Sequence, residues 1–280
     1  MSALIIAQLT VLEAVRRRLI LVGGIISLVF IALYAIGFSF LYAHRPAAGG
    51  QAALVGAVTF LTVLGLYAVN FLSSFLSLFL TVGSVSGEID NGTIQAILAR
   101  PLRRSEYIMG RWLGFASIIT CYVVIMACAF LAVARAVAGY EAPSPVQAVA
   151  LMGLSALVLL TLGLLGSAIL STLANGVLVF SLFGLAWLAG IIEFLGNVLS
   201  VQGMVVLGIV ISLIVPSDAI WRGASYYLQS PIVLAGLGGG RDVNPFASSV
   251  APTPALIVWS VLHVSATLLS AAVYFSRRDL

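Results

Sequence analysis

The chain has 280 residues, of which 62% are hydrophobic and only 8% are charged. Soluble domains are about 25% charged, so the composition indicates an integral membrane protein with almost no room for a soluble domain. The net charge of +4 suits anionic lipid head groups. The arginines are divided among several loops and form no long patch, which is not the pattern of a nucleic-acid-binding protein.

The first predicted element is a helix over residues 2–18 that lies on the membrane surface. Its apolar residues recur at helical spacing beside one glutamate and three arginines, and they are Leu4, Ile5, Leu9, Leu12 and Val15. The segment is too short and too polar to cross a bilayer, which favours an interfacial helix. A signal peptide is disfavoured because the charges follow the apolar part and no small-residue cleavage site comes after it.

Six later stretches are apolar and long enough to cross a bilayer. They cover about residues 19–42, 52–82, 107–138, 146–170, 177–195 and 253–275, with a turn over residues 171–176. Gly110 and Gly114, near the start of the third span, form a GxxxG pattern that permits close approach of another helix.

A few polar side chains lie within or at the ends of these spans. They are candidates for lining a translocation path: Asn70, Ser74, Ser77, Glu193, Asn197 and His263. Another interpretation stays open for each of them. Serines in membrane helices often bond to their own backbone, a glutamate in the last turns of a span is typical of head-group depth, and a lone histidine is typical of packing.

Residues 83–112, between the second and third spans, form the most polar block of the chain. Charge at bilayer depth is costly, so this block lies in water. Asn91-Gly92-Thr93 predicts a turn and a helix N-cap. An apolar stripe on a short helix follows, and Pro101 ends that helix; a new helix is expected from Ser105. The block is either a short amphipathic helix across the ends of two spans or an ordinary solvated loop.

Between the fifth and sixth spans, residues 201–237 predict short helices on the outer side. The apolar run 204–215 has about twelve residues before Pro216, which suits a re-entrant segment better than a span. With six spans, both termini and the 83–112 block share one side, together with nine of the thirteen basic residues. The positive-inside rule then predicts that both termini are cytoplasmic.

The sequence lacks the motifs of a nucleotide-binding or metal-dependent enzyme. No Walker A motif occurs, there is no HExxH, and the two histidines lie far apart. We therefore expect no catalytic residue, no metal ligand and no cofactor in this chain, and any ATP would be bound by another chain.

The residues from Glu88 to Arg111 resemble the permease subunits of ABC-2 type transporters. The matching pattern is E-x-D-x-G-T-I, then I-L-x-R-P-L-R-R, an acid at Glu106 and Gly110-Arg111, where the family usually has lysine. The resemblance implies an all-α membrane fold and one domain over residues 1–280. That domain would comprise six spans, an elbow helix at 2–18, a cytoplasmic coupling segment at 83–106 and re-entrant helices at 201–237.

The resemblance also implies partners and a function. It implies a permease dimer with two ABC ATPase subunits, which bind ATP and Mg, in the inner membrane of a prokaryote. The residues expected to contact the ATPase are Glu88, Asp90, Gly92, Thr93, Ile94, Ile97, Leu98, Arg100, Pro101, Arg103 and Arg104. Export or extrusion of a hydrophobic or amphipathic compound is the expected activity. The alternatives are transmission of ATPase motion to an extracytoplasmic partner, a membrane-embedded lipid-acting enzyme and a structural scaffold.

Overall fold

The computed structural model describes residues 2–16, 18–44, 50–92, 103–236 and 244–278, and all regular structure within these ranges is helical. Eleven α-helices are described in them: α1 Ser2–Arg16, α2 Arg18–Ala43, α3 Gly50–Thr81, α4 Ser86–Asp90, α5 Arg104–Ala138, α6 Pro145–Ile169, α7 Thr172–Leu199, α8 Gln202–Ile214, α9 Ser217–Tyr226, α10 Pro231–Gly236 and α11 Pro254–Arg277.

Six stretches of the described chain are long and apolar enough to cross a membrane: Leu21–Ala43, Ala53–Ile89, Arg104–Ala138, Pro145–Ile169, Thr172–Leu199 and Pro254–Arg277. The predicted fold class, all-α with six spans, is confirmed. With 35 residues, α5 is about 52 Å long, while the hydrocarbon core is only about 30 Å thick. This helix therefore extends beyond the bilayer.

Hydrogen bonds between remote segments show which ends of the helices lie together. Arg278 Nη1 donates to the carbonyl of Ala168 at 2.6 Å, and the hydroxyls of Ser86 and Thr172 are 2.8 Å apart. Arg104, at the start of α5, also donates to the carbonyl of Arg278, and the first turn of α1 packs on Gly110 of α5. These contacts gather α4, the starts of α1 and α5, the α6–α7 junction and the end of α11 at one end, which we call the terminal end. At the opposite, distal end, Tyr140 Oη donates to the carbonyl of Leu228 at 2.6 Å.

The helix α6 lies at the centre of the bundle. It packs against α3, α5, α7, α9 and α11, and Met152, Ala156, Leu160 and Leu164 are fully buried. By contrast, α2 is peripheral and exposes most of its apolar side chains. The helices that carry polar side chains at the two ends of the bundle all pack against α6 or against a helix that contacts α6.

The GxxxG pattern of α5 is the place where α1 packs. A Cβ atom at Gly110 would lie 2.7 Å from the carbonyl oxygen of Ala3, and one at Gly114 would lie 2.9 Å from that of Ala7. The opposite face of α1 is exposed, and it carries the predicted apolar stripe Leu4, Ile5, Leu9, Leu12 and Val15. The helix thus packs on α5 with one face and presents an apolar face outward with the other.

Two local expectations differ from the structure. The helix of the fifth span, α7, begins at Thr172 rather than near residue 177, because the Nδ2 group of Asn175 finds acceptors inside the bundle: it donates to the carbonyls of Val82 and Gly163 at 2.8 and 3.0 Å. The helix after the polar block has Arg103 as its N-cap, with no side-chain capping bond, so Ser105 is not the cap. Arg104, in its first turn, donates to the carbonyl of Arg278, and this contact holds the helix start.

The region after α7 turns back on the bundle. The helix α8 packs antiparallel on α7, where Cβ atoms at Gly196 and Gly208 would lie 2.8 Å from backbone atoms of the facing helix. The axis then bends by 106° into α9, which packs between α6 and α7. By length and composition, α8 and α9 together form either one broken span or a re-entrant segment. The pair lies between the fifth and sixth of the six long spans.

Candidate functional site

The segment that follows the second span is a compact turn and one short helix. The helix α4 runs over five residues and is followed by Asn91 and Gly92. Gly92 has φ +70, the left-handed conformation that glycine tolerates best. The predicted contacts Thr93, Ile94, Ile97, Leu98, Arg100 and Pro101 lie outside the described residues, so the coupling helix stays a prediction.

Side chains at the end of α6 and the start of α7 fix the backbone of this segment. The amides of Val85 and Ser86 both donate to Ser167 Oγ, at 2.9 and 3.1 Å. Gly83 approaches Thr172 so closely that an added Cβ would lie 3.2 Å from its Cγ2. The segment before the predicted coupling helix is therefore held rigidly against the fourth and fifth spans.

A cluster of charged groups joins α4 to α5 and α1. Arg111, on α5, is only 4% exposed. Its Nη1 lies 2.9 Å from Glu13 Oε2 on α1, and its Nη2 forms an ion pair with Glu88 on α4. Tyr107 Oη donates to Glu88 and accepts from Arg111 Nε at 3.1 Å. A buried guanidinium is stable only when its charge is paired, so this cluster fixes three helices at one point. We call it the Arg111 cluster.

The predicted ATPase contacts fall into two groups within the described residues. Glu88 faces the interior, with a side chain 15% exposed, and Arg104 is partly buried against the C-terminal residues. Arg103 and Gly92 are exposed, and Asp90 ends α4. Among the predicted contacts within the described residues, Gly92 and Arg103 are therefore exposed on either side of residues 93–102.

Sequence reasoning missed two members of the Arg111 cluster, Glu13 and Tyr107. The available signals were weak: Tyr107 and Arg111 stand four apart on one helix face, and Glu13 is the lone acid of α1. Neither signal indicates that α1 and α4 meet on the same side of α5.

At the distal end, a second charged cluster connects α7 to α9. Arg222 forms an ion pair with Glu193, and its Nε lies 3.3 Å from Asp218 Oδ2. The side chains of these three residues are at most 20% exposed. The carboxylate of Asp218 packs directly on α7, because a Cβ at Gly190 would overlap its Oδ2. Glu193 therefore holds the bent region in place; the sequence singled it out only as a candidate path residue and did not indicate its ion pair with Arg222.

The residues predicted to line a path are only partly brought together. Asn70 and Ser74 border a small cavity that Asp218 also borders, and Asn70 Oδ1 has no hydrogen-bond partner among the described residues. The hydroxyls of Ser74 and Ser77 donate to the carbonyls of Asn70 and Ser73 at 2.8 and 2.9 Å, which is the backbone-bonding geometry.

The other predicted path residues lie apart. Asn197 is exposed near the end of α7. His263 Nε2 lies 3.0 Å from the carbonyl oxygen of Ile214, at the junction of α11 with α8. Within the described ranges, no group of three or more His, Cys, Asp or Glu residues is arranged to hold a metal ion.

An aromatic ladder runs along one side of the bundle, between α3 and α7. Phe71, Phe75 and Phe79 succeed one another on α3, and Phe180 and Phe183 meet them from α7 with ring centroids 5.5 to 5.7 Å apart. Phe71 and Phe79 remain 40% and 53% exposed. This exposed aromatic surface is adjacent to the cavity of Asn70 and Ser74, because Phe71 and Phe183 border that cavity too.

Comparison with known proteins agrees with this architecture. The family model described as ABC-2 family transporter protein matches residues 4–280. A curated relative, the probable ABC transporter permease protein NosY of Stutzerimonas stutzeri, is 33% identical over 137 residues, which are 49% of this chain and 47% of that protein. The matched part thus spans about half the length of the curated relative.

Proposed function

The chain belongs to the ABC-2 family and is the permease of an ABC transporter, and we propose that it exports or extrudes a hydrophobic or amphipathic compound. Two copies of the permease would associate with two ATPase subunits, which carry the ATP and Mg. The membrane would be the cytoplasmic membrane of a prokaryote, with both termini cytoplasmic. Hydrolysis would take place in the partner, and this chain would convert its motion into opening and closing of a path.

The observation that carries this proposal is the Arg111 cluster. An ATPase that moves residues 93–102 pulls on α4 at their start and on α5 at their end. Glu88 links α4 to Arg111 on α5, and Glu13 links α1 to the same guanidinium. Coupling between sites needs a contiguous element with two arrangements, and here three helices are joined into one body beside the proposed ATPase contact.

In this arrangement Glu88 is a positioning residue. Its carboxylate is engaged by Arg111 and Tyr107 inside the subunit. The direct ATPase contact would come from the apolar stripe Ile94, Ile97 and Leu98, with the exposed Arg103 on its polar rim.

The aromatic ladder supports a hydrophobic or amphipathic cargo. Aromatic side chains half exposed on a membrane helix offer a surface for flat or apolar molecules. The amide and hydroxyl groups of Asn70 and Ser74 lie beside it and would accept the polar part of an amphipathic molecule. We propose that the path follows this face, between α3 and α7.

A second candidate is the transmission of ATPase motion to an extracytoplasmic partner. Hydrogen bonds at the distal end support this second candidate. Trp221 Nε1 donates to the carbonyl of Phe246 at 2.8 Å, and Gln229 Nε2 donates to that of Ser248 at 2.7 Å. These bonds fix the segment around Phe246 and Ser248 to α9 and the turn after it, and we call this rigid surface the platform around Trp221. A lipid-acting enzyme is less supported. The cavity at Asn70 and Asp218 has a volume of only about 10 Å³, which is room for about one water molecule.

The test is co-purification of the chain with a co-expressed ABC ATPase subunit from the same organism. We expect Ile97→Asp to abolish the stoichiometric complex, because a charge in an apolar groove is left without a partner. Gln95→Asp is the matched control, since it adds the same charge in the same segment but away from the apolar stripe, and it should retain the complex.

If the Ile97→Asp variant binds the ATPase as well as the parent does, residues 93–102 are not the coupling interface. The scaffold and enzyme alternatives are then better supported than before. If the complex forms and hydrolyses ATP but moves no hydrophobic compound in reconstituted vesicles, the mechanical alternative replaces export.

A further inference from the structure

A long apolar groove opens between α5 and α6 in the distal half of the bundle. Its volume is about 880 Å³. From α5 it is lined by Val124, Cys128 and Leu131, and from α6 by Val146, Val149 and Gly153. None of these residues belongs to the Arg111 cluster, to the aromatic ladder or to the Asp218 cavity.

The groove has the length of a lipid chain. On α5 its lining extends from Thr120 to Arg135, fifteen residues apart, which corresponds to about 22 Å along a helix. Half of the hydrocarbon core is about 15 Å thick. If Arg135 lies at head-group depth, the groove is long enough to run through the whole distal leaflet, as an extended acyl chain does.

Two opposite charges stand at the mouth of the groove. Arg135 Nη2 lies 2.9 Å from Glu141 Oε1, and both side chains are largely exposed, at 73% and 68%. Both residues border the groove. An exposed ion pair of this kind contributes little to stability, so it exchanges readily for interactions with a ligand.

The charge pattern at the mouth selects a kind of head group. A guanidinium is suited to bidentate binding of phosphate. A carboxylate beside it attracts an ammonium group and repels a purely anionic head group. A phospholipid with a phosphate and a primary amine matches both charges, whereas phosphatidylglycerol matches only one.

We propose that this groove binds one phosphatidylethanolamine-type lipid of the distal leaflet, with an acyl chain between α5 and α6, its phosphate on Arg135 and its amine near Glu141. The site is independent of the transported compound.

Gly153 allows the groove to be filled without disturbing the core. A Cβ atom at this position has no heavy atom within 4 Å, although the residue lies on the most buried helix. A phenylalanine side chain there would extend into the volume that the acyl chain occupies. Gly24 on α2 is the matched control, because its Cβ also meets nothing within 4 Å and its helix faces lipid elsewhere.

The experiment is native mass spectrometry of the purified permease with equimolar phosphatidylethanolamine and phosphatidylglycerol. The parent should retain one phosphatidylethanolamine per chain in preference to phosphatidylglycerol. Gly153→Phe should lower its retention about tenfold, the effect of losing one good contact set, and Gly24→Phe should leave it unchanged. Glu141→Gln should retain a lipid but lose the preference between the two head groups.

The proposal is overturned by equal retention of both lipids in the parent, or by undiminished retention in Gly153→Phe. Loss of permease dimers in Gly153→Phe without a change in bound lipid would identify the groove as a contact with a second copy, and this also overturns it. If Gly153→Phe does not fold, the single variants Gly153→Ala and Glu141→Gln decide the question. Gly153→Ala should partly weaken the retention of phosphatidylethanolamine, and Glu141→Gln should remove the preference for it over phosphatidylglycerol.

Discussion

At the scale of single residues, Arg111 is the most consequential side chain of the terminal end. It is buried, and it is contacted by an acid from each of two other helices. Its removal leaves the Glu88 carboxylate, 15% exposed, with only the Tyr107 hydroxyl as a described partner. We therefore expect the stability of the permease to depend on both the charge and the shape of the side chain at position 111.

We expect Arg111→Gln to destabilise the permease by about 3 kcal/mol, because breaking a buried ion pair leaves an uncompensated charge. Thermal unfolding in mild detergent measures this change. Arg111→Lys keeps the charge but loses the fork that reaches Glu13, Glu88 and Tyr107 together, and it should cost less.

The matched test is a double-mutant cycle with Glu88→Gln. If the pair acts as described, the double variant Arg111→Gln/Glu88→Gln should recover a large part of the loss, because the buried Glu88 charge is removed together with its partner, while the Glu13 side chain is 40% exposed to solvent. Additive losses from the two single variants would contradict the interpretation of the cluster as one unit.

At the scale of the helices, several close approaches depend on glycine, and the docking of α9 on α7 is the sharpest case. A Cβ at Gly190 would overlap Asp218 Oδ2 and lie 3.1 Å from its Cγ. Asp218 also anchors Arg222, which in turn holds Glu193. A methyl group added at Gly190 would therefore displace Asp218 and disturb the ion pairs that Arg222 forms with Asp218 and Glu193.

We expect Gly190→Ala to lower the stability of the permease and to make the chain around α9 sensitive to limited proteolysis. Gly184→Ala on the same helix is the control, since a Cβ there meets nothing within 4 Å. That variant should be neutral or stabilising, because alanine favours a helix by up to about 1 kcal/mol over glycine. Equal protease resistance of both variants would show that α9 does not depend on this contact.

The sequence predicts the positions of the membrane helices well, but it does not predict which helices meet at the glycine contacts. Hydropathy identifies the six spans because each is a continuous apolar run, and the spacing of Gly110 and Gly114 indicates a close helix contact. The partner of that contact is not encoded locally. Glu13 and Arg111 are 98 residues apart in the chain, and Arg222 reaches Glu193 only because the chain bends by 106° before α9. The turn predicted around Asn175 was wrong because its Nδ2 donates to carbonyls of two other segments of the chain, which the local sequence does not indicate.

At the scale of the whole molecule, the bundle has two unlike ends. The terminal end gathers both termini, α4 and the Arg111 cluster, and the distal end carries the Asp218 cluster and the platform around Trp221. The proposed orientation places the terminal end in the cytoplasm, where nine of the thirteen basic residues of the sequence lie.

This orientation is tested by labelling single cysteines with a membrane-impermeant maleimide, after Cys121 and Cys128 are changed to serine. We expect Asn91→Cys to react only in inverted vesicles and His44→Cys only in intact cells or spheroplasts, because the two exposed residues lie at opposite ends of the second span. The reverse pattern would mean that the termini face outward.

The attachment of α1 restricts how the terminal end can move. One face of α1 is fixed to α5 by Gly110, Gly114 and Arg111, while five apolar side chains on its other face are exposed. If α1 lies in the membrane interface, as the sequence predicts, sliding of α5 along the bilayer normal would pull these side chains out of the interface, at a cost of about 1.5–3 kcal/mol for each fully buried one. A rotation about an axis in the plane of the interface leaves them in place. If the ATPase moves the terminal end as proposed, we therefore expect α5 to tilt about an axis at the membrane surface rather than to slide along the bilayer normal.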